Sequence, residues 1–171
     1  MLISERHIEL NKELHRRNPT FGTSGRVWAP AVLSFAGIVR AESILDYGAG
    51  RGTLVASFPC GAPYRVVEYD PAVDGKTNRP APADVVVCGD VLEHIEPECL
   101  EAVLDDLHFL TQKGIFLVIG THPAMKTLAD GRNAHLIVKP ARWWLERIWD
   151  RWTLHEFHDY GPTFQCTAIA R

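Results

Sequence analysis

Four short apolar runs, SILDY (43–47), YRVVEYD (64–70), DVVVCGD (84–90) and IFLVIGT (115–121), alternate with stretches of helical periodicity. That alternation restricts the fold more than any other feature of the chain. Strands separated by helices pack as a parallel sheet covered on both faces. Helices are expected over 4–17, with Ser4 as N-cap and His7, Leu10 and Leu14 on one face, and over 26–40. A brief helix should end near Phe58, and a longer one should run from Pro97 in its first turn to a stop at Gly114. Leu100, Val103, Leu104, Leu107 and Leu110 form its apolar face. A last helix starts at Pro140 with Trp144, Ile148 and Trp152 in one row, and TLHEFHD and FQCTAIA flank the turn YGPT as an antiparallel hairpin. The expected architecture is an α/β, Rossmann-like open sheet, mostly parallel, closed by that hairpin. The chain of 171 residues reads as one domain, a helical N-terminal lid over 1–42 and a core over 43–171.

Composition excludes several classes of function. A formal charge of −3 argues against a protein that grips a long nucleic-acid backbone. Cys60, Cys88, Cys99 and Cys166 form no C-x-x-C pair, so they read as reduced thiols of a cytoplasmic protein, and no metal site is expected. The start MLISERHIEL is too polar for a signal peptide, and no run approaches the length of a membrane span.

The turn after the first strand, YGAGRG, sits where open α/β sheets bind ligands, beyond the carboxyl ends of the strands. Its G-x-G-x-G spacing differs from the dinucleotide fingerprint, and the P-loop lysine is absent. Asp46 ends the first strand and Asp70 the second, 22 residues after Gly48, where a carboxylate can accept both ribose hydroxyls. In order and spacing, ILDYGAGRG, VVEYDPA and DVVVCGDVLEHI resemble the class I S-adenosylmethionine (SAM)-dependent methyltransferases. The resemblance covers about residues 43–121 and fits the closing hairpin. It implies SAM as cofactor. Asp46 would order the glycine turn or reach the SAM amino group indirectly, and Gly48, Ala49, Gly50 and Gly52 would let the backbone lie against the cofactor. Asp70 would hold the ribose, Tyr69 and Pro71 would flank the adenine, and Asp90 would stand near the methyl group.

One departure from the family pattern stands out. Thirteen residues separate Asp70 from Asp84, too few for the helix and strand expected there, and three of them are prolines. The segment 71–83 is therefore expected to be irregular, one edge strand is expected to be missing, and Asp74 or the backbone of 88–90 is left to read adenine.

The resemblance implies an acceptor bound over the ends of the third and fourth strands. His122 and His135 fall in the loops there and are the candidate proton acceptors, because histidine titrates near neutral pH. Arg132 and Asn133, in DGRNAHLI, are candidate acceptor-binding residues. Glu93 and His94 read equally as packing residues or as site residues, and Trp143 as facing solvent or substrate. Seven acidic and no basic residues lie between Asp90 and Asp106, and six basic against three acidic between Lys126 and Arg151. That asymmetry is either two solvated faces or a basic wall for an anionic acceptor. The leading reading is methyl transfer to a small-molecule or glycan-type acceptor; a nucleic-acid methyltransferase and a non-catalytic SAM-binding subunit are the alternatives.

Overall fold

The computed structural model describes residues 1–171. Helix α1 spans Glu5–Arg17 and α2 Gly25–Ile38; strands β1 (Ser43–Tyr47), β2 (Arg65–Tyr69) and β3 (Ala83–Gly89) follow. Then come α3 (Leu100–Leu110), β4 (Thr111–Gly120), α4 (Ala141–Arg151), β5 (Trp152–Asp159) and β6 (Thr163–Ala170). One sheet carries the strands in the order β2-β1-β3-β4-β6-β5, with β2, β1, β3 and β4 parallel and β6 and β5 antiparallel. This is the Rossmann-like sheet with its terminal hairpin that the sequence pattern requires. No helix is long and apolar enough to cross a membrane.

The two-residue period of a strand divides the core into two layers. Leu45, Val86 and Ile115 stand in register and face α3 and α4, where Leu104, Leu107 and Trp144 are buried. Their chain neighbours Ile44, Val85 and Phe116 face α2 and meet Val32 and Phe35. Ser4 caps α1 as expected, its hydroxyl accepting from the His7 amide at 3.1 Å.

Several boundaries differ from the sequence reading. The helix expected from Pro97 opens as a 3₁₀ turn, Pro97–Cys99, and α3 stops at Leu110. Thr111 already pairs with Ala83, so strand pairing captures residues that helical periodicity had claimed. Gly114 is consequently no helix terminator but a residue of β4, and a Cβ there would lie 2.6 Å from the Phe35 ring and 3.1 Å from the Ala168 carbonyl oxygen. Trp152 leaves the helix to open β5, and Trp149 is exposed. The brief helix after the glycine turn shrinks to one 3₁₀ turn, Val55–Ser57.

Between β2 and β3 there is neither helix nor strand, as the residue count dictates, and β2 is a sheet edge. An ion pair anchors the connection. Arg79 donates to both carboxylate oxygens of the buried Asp106 in α3, which also accepts from the Tyr47 hydroxyl at 3.2 Å. Half of the Arg79 side chain is in water, which weakens the pair. Arg79→Ala is therefore expected to lower stability by only about 1–2 kcal/mol, below the usual cost of breaking a fully buried pair. A urea midpoint equal to that of the wild type would show that the pair anchors nothing.

Candidate active site

A cavity of about 370 Å³ opens at the carboxyl ends of β1, β3 and β4. Its floor is the glycine turn. Gly48 and Gly50 adopt φ of +80° and +48°, the left-handed region that glycine enters at little cost. The amides of Gly48 and Ala49 both donate to the Tyr69 carbonyl at the end of β2, at 2.7 and 3.0 Å. The Gly50 amide donates to Asp70 Oδ2 at 2.9 Å, and Asp70 Oδ1 accepts from the Ala72 amide at the same distance. Asp70 thus ties the glycine turn to the start of the 70–82 connection, and each of its oxygens keeps a further lone pair.

Asp46 is buried on the cavity wall, and its Oδ2 has no hydrogen-bond partner. Burial pushes its carboxyl up to about 7; Glu68 and Asp70 add to the rise and Lys76 opposes it. Lys76 itself is spent beneath the turn, donating to Glu68 at 3.1 Å and to the Gly50 carbonyl at 3.0 Å. A Cβ on Gly52 would strike that ion pair, so Gly52 backs the turn and does not line the cavity.

The N-terminal segment roofs the site. A Cβ on Gly50 would stand 2.8 Å from the Gly22 Cα and carbonyl oxygen, because the loop between α1 and α2 lies directly on the turn. Arg51 holds it there: its amide donates to the Gly22 carbonyl at 3.0 Å, and its guanidinium reaches the carbonyls of His15, Asn18 and Phe21. Gly22, Arg51 and Lys76 were not singled out by the sequence reading. Their only trace there is the glycine among turn formers in NPTFGTSG and the cation inside the glycine turn.

Across the cavity, Asp90 follows β3 with φ +56°, a strained conformation for a residue with a side chain. Burial raises its carboxyl, against the influence of Ser24, His135, Trp28 and His122. Glu93 is completely buried; its Oε1 accepts from the Gly120 amide at 2.7 Å, while its Oε2 has no partner. Burial, with Asp90 adding to it, pushes Glu93 up to about 8. His94 is lowered to about 3, by burial first and then by the neighbouring His135. Its ring lies 4.7 Å from that of His135, which in turn is 5.5 Å from His122.

Most of the residues expected at the site line this cavity, including Tyr69, Pro71, His122 and His135. Arg132 and Asn133 do not. Arg132 pairs with Asp130, and Asn133 spends both ends of its amide on Ala124 and also receives the His135 amide, so these two residues fix the loop. Asp74 is exposed and lies off the cavity. Trp143 packs edge-on against Trp144 under the Arg147 guanidinium, away from the cavity. The charge asymmetry resolves into pairs between α3 and α4, with Arg151 on Glu101 and Asp105 and Arg147 on Glu101. Lys126 alone among the six cations of that stretch lines the cavity.

The sequence profile of the methyltransferase domain matches residues 13–164. No curated protein sequence matches the chain. Among solved structures, the Burkholderia thailandensis 1,6-didemethyltoxoflavin-N1-methyltransferase, with 1,6-didemethyltoxoflavin and S-adenosylhomocysteine (SAH) bound, superposes with a TM-score of 0.69 at 17% identity, over 95% of this chain and 87% of that one. The DhpI–SAH complex gives 0.64 at 15% identity over 98% of both chains. Magnesium protoporphyrin IX methyltransferase from Synechocystis PCC 6803 gives 0.62 at 15% identity, over 85% and 83%. At such identities these structures establish the fold, while the domain profile establishes the family. The chain belongs to the methyltransferase domain family, as a class I, SAM-dependent member.

Proposed function

We propose that this protein transfers a methyl group from SAM to a small-molecule acceptor. The observation that carries the reading is the buried carboxylate of Asp46, facing the cavity beside the glycine turn with one oxygen unpartnered. A buried carboxylate of that kind wants a cation, and the amino group of the SAM methionine end supplies one. Gly48 to Gly50 leave the backbone bare for close approach, and the spare lone pairs of Asp70 suit ribose hydroxyls. Ala72 and Val91, which also line the cavity, offer an apolar slot for the adenine in place of the contacts of the missing strand.

SAM brings an activated methyl group on a sulfonium, so the protein needs chiefly to orient the acceptor and exclude water. The roof formed by α1 and the Gly22 loop serves the exclusion. His122 and His135 stand at the acceptor side; each donates its Nδ1 proton to a main-chain carbonyl, of Pro162 and His122 respectively, leaving Nε2 free to accept a proton. A cavity whose wall carries a single lysine favours a small acceptor over a polyanion. The 1,6-didemethyltoxoflavin bound in one of the similar structures, and the porphyrin in the name of another, point the same way.

Isothermal titration with SAM, SAH and NAD tests the cofactor half, with binding in the micromolar range expected for the first two and none for NAD. Incubation with SAM and fractionated small metabolites tests the other half: a product heavier by one methylene, with release of SAH, is expected. Binding of NAD in place of SAM would overturn the reading.

A further inference from the structure

Three imidazoles line one wall of the cavity, and all three are held alike. Nδ1 of His94 donates to the Ala134 carbonyl at 2.8 Å, that of His135 to the His122 carbonyl at 2.6 Å, and that of His122 to the Pro162 carbonyl at 2.7 Å. A proton fixed on Nδ1 leaves Nε2 as a lone pair, which is how proteins orient histidines toward a metal ion. Beside them Glu93 is anchored by one oxygen and leaves the other buried without a partner. The Glu93 carbonyl accepts the Ile137 amide at 3.0 Å, and this contact brings the His135 segment across to Glu93 and His94. One ligand atom from each of Glu93, His94 and His135 lies within 4.8 Å of the others. Ligands of a tetrahedral ion, bound at about 2.1 Å, stand roughly 3.4 Å apart, so small side-chain adjustments close the site. No lysine or arginine forms an ion pair with the buried Glu93 or with the neighbouring, half-buried Asp90.

We propose that Glu93, His94 and His135 bind a divalent transition-metal ion whose remaining coordination positions face the cavity and hold an oxygen of the methyl acceptor. Two imidazoles with a carboxylate suit zinc, manganese or cobalt better than magnesium or calcium, which prefer all-oxygen shells. The cation site stands on its own geometry; its use on an acceptor oxygen rests on the methyl-transfer reading. A hydroxyl held by the ion is more acidic and releases its proton to water. The O–CH₃ bond then forms as the CH₃–S bond of SAM breaks, with the electron pair of that bond remaining on sulfur to give SAH. His135 becomes a ligand in this arrangement, and His122, one ring further out, is left to take the proton onward.

The test uses untagged protein stripped with chelator and titrated calorimetrically with ZnCl₂ and MnCl₂, and with CoCl₂ followed by visible absorption. One equivalent is expected to bind to the wild type, at least tenfold more weakly to Glu93→Gln and His135→Ala, with a changed cobalt spectrum in the histidine variant. Circular dichroism establishes that each variant is folded, and His135, being partly exposed, tolerates truncation. Failure of folded wild type to bind any of the three ions, or equal affinity in both variants, overturns the proposal. SAM titration of the stripped protein separates the two readings: SAM binding without metal uptake sinks the cation site alone, and metal uptake without SAM binding sinks the cofactor assignment alone.

Discussion

Replacing Gly50 with valine is expected to weaken SAM binding by at least about 100-fold, equivalent to roughly 2.7 kcal/mol, while leaving a cooperatively folded domain. Two effects coincide at this position. Gly50 has φ +48°, where a β-branched residue is strained by about 1–3 kcal/mol. Its Cβ would also stand 2.8 Å from main-chain atoms of Gly22, which cannot yield as the end of a flexible side chain would. The substitution therefore lifts the roof loop and disturbs the amide that donates to Asp70. The resemblance sets the Gly50 backbone against the cofactor, but the first group a side chain there meets is the roof. The core layers on either side of the sheet lie elsewhere, which is why folding should survive. Calorimetry on a folded Gly50→Val protein checks the expectation, and unchanged SAM affinity would refute it.

Asp46→Asn is expected to stabilise the ligand-free protein and weaken its hold on SAM. Burial raises the Asp46 carboxyl from 3.8 to about 7 in the folded state. A raised carboxyl favours folding fully only below its ordinary value, and that contribution is lost as pH rises through about 7. At pH 8 the buried charge costs on the order of 2–4 kcal/mol, and asparagine, nearly the same shape, removes it. The gain in urea midpoint should be large at pH 8 and shrink steadily toward pH 4. SAM affinity at pH 8 should fall at least tenfold, because the amide offers no charge to the methionine amino group. A gain independent of pH would show that Asp46 is not ionised in the folded protein at pH 8.

The parts of the fold that were legible in the sequence are those set by local pattern. Alternating apolar runs located every strand, and thirteen residues between two aspartates were enough to exclude a helix–strand unit. The boundary between α3 and β4 was hidden because LTQKG continues a helical pattern, and only the pairing of Thr111 with Ala83 pulls it into the sheet. The site divides in the same way. Its glycine turn and acidic strand ends are contiguous in sequence and carry the resemblance to the methyltransferases. Arg51 on the roof carbonyls, and Glu93 and His94 meeting His135, are encounters between distant segments that no spacing rule reports. Arg132 and Asn133 were singled out for their chemistry, and in the structure that chemistry is turned inward on their own loop.

The shortened sheet shows where this architecture can lose a piece. In β2 only Tyr69 is buried, and the strand hydrogen-bonds to β1 alone. A unit removed beyond it leaves one ladder unmade and little oily surface bare. Loss of β3 or β4 would instead split a core buried on both faces. Trimming of such a domain is therefore directional. It can proceed from the β2 margin inward while the crevice between β1 and β3 keeps its walls, so a binding site at the middle of the sheet outlasts the scaffold's own abridgement.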